Sequence, residues 1–276
     1  MLMKKMFFAA AVAALAFAVN ASAQFSVGVG YANEKEINKT VVNLPDGYKG
    51  SARLEAPGLK LDGFYVEASY NWEFTNMGAS AFALQPGLRY TMLTSSNSVI
   101  KAKVSKDNDK LSYLDKSRYS NHLLEMPINV KYSYEFVPDA LKAYVFAGPV
   151  LSFGLAANSV EVYKTEYTLN GEPGKEYSRS KMNYYNGKYS SKEYNSETKK
   201  YDTNKGTDSD YKLYNAFDIK FGIGAGVTVC EKLDIKFGYN FGLLNRSAVK
   251  EVEYQDYEAK SSTHSNIMYF GVAYNF

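Results

Sequence analysis

Charged side chains alternate with apolar ones along several stretches of the sequence, so that acids and bases share one face of an extended chain. Glu125 and Lys131, for example, lie opposite apolar residues such as Ile128. Buried charges persist when they are paired, which predicts a salt-bridged network filling an interior. A diffusion channel, the alternative, would need a wider interior or one dominant sign of charge. The predicted network has six acids and five bases: Glu67, Glu73, Arg89, Glu125, Lys131, Glu135, Lys142, Asp218, Lys220, Asp234 and Lys236.

Candidate catalytic groups are sparse. Ser120 and His122 are two residues apart, which places a nucleophile and a base on one face of a strand, yet no acid lies beside them to orient the base. His264 has no ligand partner nearby in sequence, and Cys230 is the single cysteine. The sequence therefore predicts a protein that is not an enzyme and that holds no cofactor and no metal.

The elements that carry these charges are alternating segments typical of β-strands. Eight such segments occur, and most reach the roughly 9 to 11 residues that a tilted membrane strand requires. The connections between them are alternately long (residues 33–62, 95–119, 157–214 and 245–265) and short (75–80, 137–140 and 230–233). This order predicts an all-β, antiparallel, up-and-down, eight-stranded transmembrane β-barrel.

A soluble, lipocalin-like barrel would place the same apolar face inside and the polar face in water. The polar face of these segments carries glycines, such as those at positions 28, 224 and 238. Glycine weakens a strand and has no reason to line a solvated surface, but it relieves crowding inside a narrow eight-stranded barrel. The membrane barrel is therefore favoured.

The remaining composition agrees with an exported β protein. Residues 1–23 combine Lys4 and Lys5, an apolar run and Ala21-Ser22-Ala23, which predicts a cleaved signal peptide before a barrel domain at residues 24–276. There are 25 Tyr and 16 Phe against seven Pro, which favours strands. The net charge of +3 is too small, and too evenly interleaved, to indicate a nucleic-acid partner.

The last strand resembles the C-terminal strand of bacterial outer-membrane β-barrels, with Met268, Phe270, Val272, Tyr274 and Phe276 on one face. Leu123-Leu124-Glu125-Met126-Pro127, Leu84-Gln85-Pro86-Gly87-Leu88 and Ala147-Gly148-Pro149 resemble strands of porin-family, PorT-like barrels of the OmpA and OmpX shape. The resemblance implies an outer-membrane location, long extracellular loops, short periplasmic turns and periplasmic termini. It also implies that Tyr274 and Phe276 form part of the signal read by the barrel assembly machinery, and that outer-membrane lipid and lipopolysaccharide surround the barrel.

The third long connection, Ala157 to Tyr214, holds ten tyrosines and cannot bury a core of its own. It is expected to be either a solvated extension of its flanking strands or disordered. Tyrosine-rich surfaces also recur in binding loops, because tyrosine gives a large contact area at low entropic cost. Candidate binding residues are Tyr163, Tyr167, Tyr177, Tyr184, Tyr185, Tyr189, Tyr194 and Tyr201.

Three functional hypotheses follow. The first is a surface-binding or adhesion barrel with a plugged lumen, whose ligand is an extracellular glycan or protein. The second is a small-solute channel. The third is an outer-leaflet lipid-modifying enzyme that uses Ser120 and His122.

Overall fold

The computed structural model describes residues 24–43, 51–95, 98–106, 109–170, 172–248, 251–254 and 257–276. The predicted signal peptide, residues 1–23, lies outside these ranges. No helix in the described ranges is both long and apolar enough to pass through a membrane. The strands of the first half are β1 (Gln24–Asn43), β2 (Ser51–Met77), β3 (Ser80–Thr94), β4 (Ser98–Lys106), β5 (Asp109–Val137) and β6 (Leu141–Leu169). The second half holds β7 (Glu172–Asn183), β8 (Lys188–Asn195), β9 (Lys200–Thr207), a 3-10 turn (Ser209–Tyr211), β10 (Phe217–Val229), β11 (Leu233–Gly242), β12 (Glu251–Tyr254) and β13 (Tyr257–Asn275).

Eight of these strands, here called the ring strands, each pair antiparallel with two others of the same set. Their pairings run in the order β1, β2, β3, β5, β6, β10, β11, β13 and return to β1. Val29, for example, lies opposite Val66 on one side and Val272 on the other. The predicted all-β, antiparallel, up-and-down arrangement is confirmed.

The three predicted short connections are tight turns at the same end of the ring strands. They comprise residues 78–79, 138–140 and 230–232. Cys230 and Glu231 both have a positive φ, 51° and 58°, which the right-handed twist of the hairpin strands favours. For residues other than glycine this conformation costs roughly 1 kcal/mol each, and Cys230 is exposed there.

In the described ranges the long connections are largely β-strand, which corrects the expected count of eight strands to thirteen. β1 and β2 stay paired as far as Asn43 and Ser51. β4 and β12 form hairpins with the outer parts of β5 and β13, and β7, β8 and β9 extend the sheet from β6. The third connection was expected to extend its flanking strands or to be disordered, and the strand extension is found. Continued pairing satisfies backbone groups that a loop would leave to water.

The two faces of the ring strands have opposite chemistry. Phe237 is 49% exposed, whereas the neighbouring Lys236 is 8% exposed. Exposed apolar side chains occur on the outward face all around the ring. They include Val27, Val29, Phe64, Trp72, Leu88, Met126, Ile128, Val130, Val145, Phe153, Phe221, Ile223, Phe270 and Val272. A lipocalin-like barrel is excluded, because its apolar face would be buried.

Glycines make room for aromatic rings inside the ring of strands. Tyr65 is fully buried, and a Cβ added to Gly30 would lie 2.5 Å from its ring. A Cβ on Gly226 would likewise lie 2.5 Å from Cζ of Tyr144. The Cβ on Gly30 would also meet the Phe270 carbonyl oxygen. The Cβ on Gly226 would lie 2.5 Å from the Ile235 carbonyl oxygen. The interior is therefore close-packed at these positions.

The face assignment predicts opposite outcomes for neighbouring residues of β11. Phe237→Arg should destabilise the protein by about 2 to 4 kcal/mol in lipid vesicles, because it exposes a charge to the bilayer interior. Urea unfolding followed by the fluorescence of Trp72, the single tryptophan, measures the loss. In a companion experiment, a lipid-soluble relaxation agent should reach a spin label at position 237 and not one at position 236. Access to the label at 236 instead would mean that the register is inverted.

Candidate functional site

The centre of the interior is a cluster around Glu67. Arg89 lies opposite Glu67 on the adjacent strand β3, and its Nε and Nη2 lie 2.6 and 2.5 Å from Glu67 Oε2. The second carboxylate oxygen of Glu67 accepts from Nζ of Lys236, which comes from β11. All three residues are less than 9% exposed. One carboxylate therefore joins three strands.

Two tyrosines close around the Arg89 guanidinium. Its Cζ lies 3.9 Å from the centroid of the Tyr269 ring and 4.9 Å from that of Tyr65. The two rings meet edge to face at 5.6 Å. A cation over an aromatic face is stabilised further when both are withdrawn from water.

A second ion pair crosses the interior between β5 and β10. Lys220 Nζ lies 3.1 Å from Oε1 of Glu125, and Thr91 Oγ1 donates to the other oxygen at 3.0 Å. Lys220 and Glu125 are fully buried, at 1% and 0% side-chain exposure. β5 and β10 are not neighbours in the ring, so this contact depends on the packing of the interior.

The turn end of the ring strands holds a looser group. Lys131 Nζ lies 3.9 Å from both Asp234 Oδ2 and the ring centroid of Tyr144. Lys142 pairs with Glu135 at 3.7 Å and with Glu231 at 2.9 Å.

Three carboxylates at this rim, Glu135, Asp139 and Glu231, lie close enough together to hold a metal ion. The Lys142 ammonium pairs with two of them and supplies the compensating charge. The arrangement is therefore an exposed ion-pair group.

Nine of the eleven predicted network residues take part in ion pairs. Asp218 is buried and accepts instead from the backbone N–H of Leu244 at 3.3 Å. Glu73 is exposed at the rim, where it lines a pocket together with Lys131 and Lys142. β2 has a register shift between Glu73 and Thr75, which disturbs the alternation there.

The opposite end, here called the mouth, contains a charge cluster that was not predicted. Arg246 Nη1 donates to Glu34 Oε1 at 3.0 Å, and Asn121 Nδ2 donates to Glu34 Oε2 at 2.9 Å. The Ser265 hydroxyl also donates to Glu34. Glu34 lies on the inward face of β1 by the same alternation, so the sequence pattern could have identified it as an interior residue. Arg246 follows the end of β11, where no periodicity marks it.

Tyr185 also belongs to the mouth, and its assignment to a surface binding loop is wrong. The residue is 7% exposed. Its hydroxyl donates to Asn121 Oδ1 at 2.9 Å and accepts from Arg246 Nη2 at 2.6 Å. The turn between β7 and β8 returns to the level of Ala157, where Tyr184 N–H donates to the Ala157 carbonyl at 2.8 Å. The third connection thus places one ring inside the mouth.

Five side chains on β7, β8 and β9 form a compact group, here called the tyrosine–lysine cluster: Lys175, Tyr177, Lys192, Tyr194 and Tyr201. The Tyr201 ring meets those of Tyr177 and Tyr194 at centroid distances of 5.4 Å each. Lys175 Nζ donates to the Tyr201 hydroxyl at 2.8 Å, and Lys192 Nζ lies 4.6 Å from its centroid. Tyr201 remains 42% exposed.

The other predicted tyrosines lie apart from this cluster. Tyr163 packs against Tyr113 at 5.6 Å, and Tyr189 packs against Tyr211 at 5.5 Å. Tyr167 lies over Gly174, and Tyr184 stacks on Tyr119 at the mouth.

Of the predicted Ser120 and His122 pair, His122 contacts a tyrosine hydroxyl. His122 Nδ1 lies 2.6 Å from the hydroxyl of Tyr90, on the adjacent strand. Ser120 borders a cavity at the mouth. His264 lies in β13 opposite Ile37 of β1.

Removing one partner of the Glu125–Lys220 pair should leave an uncompensated buried charge and cost about 3 to 5 kcal/mol. Glu125→Leu and Lys220→Met should each be severe, and the double variant should lose much less than their sum. Urea titrations followed by Trp72 fluorescence give the coupling energy. The matched control is Lys142→Met, because its pairs with Glu135 and Glu231 are partly exposed and should each be worth about 0 to 1 kcal/mol. Additive losses at Glu125 and Lys220 would contradict the pairing.

The sequence was compared with protein families, curated proteins and solved structures. The sequence model of the outer membrane protein beta-barrel domain family matches residues 17–247. No curated protein sequence matches this one.

Three solved structures illustrate the distant likenesses. Ail of Yersinia pestis, in complex with the heparin analogue sucrose octasulfate, is 12% identical over 93% of this chain and 100% of its own, with a TM-score of 0.29. Neisserial surface protein A is 14% identical over 93% and 100%, at 0.34. The protease OmpT of Escherichia coli is 10% identical over 94% and 99%, at 0.25. Likeness at this level says nothing about function.

The family match covers most of the chain and agrees with the antiparallel ring strands, the exposed apolar face and the buried charges. The chain therefore belongs to the outer membrane protein beta-barrel domain family and is a β-barrel protein of the bacterial outer membrane.

Proposed function

We propose that this protein is a non-enzymatic surface-binding barrel, which captures an extracellular glycan or protein ligand with the sheet formed by β6 to β9. In this proposal the eight ring strands form a closed transmembrane barrel with a plugged lumen. The observation that carries the proposal is the ordered extension of β6 through three more strands, with aromatic and cationic side chains gathered on it.

The exposed apolar band supports the transmembrane barrel. On β1 it runs from Val27 to Tyr31, and on β13 from Met268 to Tyr274. In lipid, every backbone polar group must be paired within the protein, which the cyclic pairing of the ring strands provides. Outer-membrane lipid and lipopolysaccharide are the partners that would cover this band.

The turns support a periplasmic location of the two termini. Short turns at one end and long connections at the other are typical of barrels whose termini lie in the periplasm. Phe276 N–H donates to the Phe25 carbonyl at 2.9 Å, and the two rings lie 6.2 Å apart. Tyr274 and Phe276 thus sit where the first and last strands meet, as expected for a signal read by the barrel assembly machinery.

The lumen contents favour a plug over a small-solute channel. Glu67, Arg89 and Lys236 cross the centre, and Arg89 lies between two tyrosine rings. An ion passing this level would have to displace paired charges that are already satisfied, which is unfavourable.

The β6 to β9 sheet is suited to binding through its face. The tyrosine–lysine cluster offers rigid aromatic surface with hydrogen-bonding hydroxyls, and strand pairing holds it in place before a ligand arrives. β9 forms an edge of the sheet and carries Lys200 and Lys205. Lysines on an edge disfavour the addition of another strand.

Point variants test the binding proposal better than loop deletion, because deletion of residues 157–214 also removes Tyr185 from the mouth. The intact protein in lipid nanodiscs is tested against arrays of glycans and extracellular matrix proteins. We expect a ligand whose binding weakens at least about 10-fold in Tyr194→Ser/Tyr201→Ser, the loss typical of a hot spot. Tyr211→Ser, an exposed tyrosine outside the cluster, is the control. If Tyr194→Ser/Tyr201→Ser binds the ligand as tightly as the native protein does, the tyrosine–lysine cluster is not the binding surface.

The plug gives a separate prediction in planar bilayers. The native protein should show no stable conductance steps, because the charges of the lumen are paired. Replacement of Glu67, Arg89 and Lys236 together by alanine should admit ions. Large ion-selective steps from the native protein would instead support the channel.

A further inference from the structure

A cavity of about 320 Å³ lies inside the mouth. Its walls come from β1 and β2 on one side and from β5 and β6 on the other. Tyr184, from the β7–β8 turn in the middle of the third connection, and Tyr214, from its end, also line it. Its volume is within the range of small-molecule sites, roughly 300 to 1,000 Å³.

When Glu36 is ionised, negative charge exceeds positive charge around this cavity. Among the described residues that line it, the charged ones are Glu36 and Arg246. Arg246 is already paired with Glu34, which lies two residues from Glu36 on the same face of β1. Two carboxylates therefore share one guanidinium. Glu36 is only 3% exposed, and within the described residues it accepts a hydrogen bond from Tyr214 at 3.1 Å.

The remaining chemistry of the walls suits a cation that donates hydrogen bonds. Tyr184 stacks on Tyr119 at 6.5 Å and meets Tyr214 edge to face at 6.1 Å, which forms an aromatic wall. Aromatic faces attract ammonium groups. Asn38 Oδ1 is a buried acceptor with no hydrogen-bond partner among the described residues, and Asn38 lines the same cavity.

We propose that this cavity binds a small organic compound carrying a primary ammonium group. The ammonium lies against the Glu36 carboxylate and the Asn38 side chain, and the apolar body packs on the tyrosine wall and on Leu59. The site is separate from the tyrosine–lysine cluster, so this inference does not depend on the proposed surface-binding function.

The charge state of Glu36 makes the binding pH-dependent. Glu36 lies five residues beyond Tyr31, the last aromatic of the apolar band on β1, and hence outside the membrane-spanning segment. Burial and the neighbouring Glu34 raise its pKa to about 7, while Arg246 and the Tyr214 hydroxyl act in the opposite direction. Among the described residues, Tyr185 also faces it. A cation prefers the ionised carboxylate, so its affinity rises as pH rises through about 7 and falls below it.

The test is calorimetric titration of the full-length protein in nanodiscs with cyclohexylamine and with its uncharged counterpart, cyclohexanol. Above the pKa of Glu36 the amine should bind at least about 10-fold more tightly than the alcohol, a difference of roughly 1.4 kcal/mol. One pH unit below that pKa, roughly nine-tenths of the Glu36 carboxyls are protonated and amine binding should weaken accordingly.

Variants separate the site from general effects on folding. Glu36→Gln should weaken amine binding at least about 10-fold and remove its pH dependence. Tyr214→Phe keeps the aromatic wall but removes a hydrogen bond that lowers the pKa of Glu36, so the midpoint should move to higher pH while binding at high pH persists. Glu176→Gln, on exposed β7, and Tyr194→Ser/Tyr201→Ser should bind the amine as the native protein does. Equal binding of amine and alcohol, or unchanged amine binding in Glu36→Gln, would overturn the proposal.

Discussion

Burial of paired charge between strands that face an apolar exterior is the constraint on which this structure depends. Glu67 accepts from both Arg89 and Lys236, and Glu125 accepts from Lys220 across the interior. A charge withdrawn from water without such a partner costs several kcal/mol, so each pair restricts the register of the strands that carry it. A shift of one residue would send these groups outward and bring the apolar side chains in.

The same strand pairing that forms the ring also builds the part of the molecule beyond the mouth. β5 and β6 stay paired beyond the apolar band, β6 continues the sheet into β7, and the β7–β8 turn returns to the mouth. Tyr185 then completes a network with Glu34, Asn121 and Arg246. The third connection therefore has two roles, as an outward-facing sheet and as a cover for the mouth.

These two roles separate the two proposed sites. The tyrosine–lysine cluster lies on β7, β8 and β9 and presents aromatic and cationic side chains for the proposed surface ligand. The cavity beside Glu36 is small and is lined in part by strands of the ring, and its ionised carboxylate suits a compact cation. Both depend on strand pairing, because flexible loops would first have to be ordered at an entropic cost.

The period-two pattern alone determined which residues of the ring strands face inward, where the three tight turns lie and that acids and bases would share the interior. These properties follow from local geometry, since the side chains of a strand alternate whatever its neighbours are. Pairing across the ring depends on the distance between strands that are remote in sequence. The ion pairs of Arg246 with Glu34 and of Lys220 with Glu125 were therefore decided by the tertiary structure. The same holds for Tyr185, whose polar, tyrosine-rich surroundings in sequence indicate a solvated surface. It is buried only because β7 is long enough to bring its turn back to the mouth.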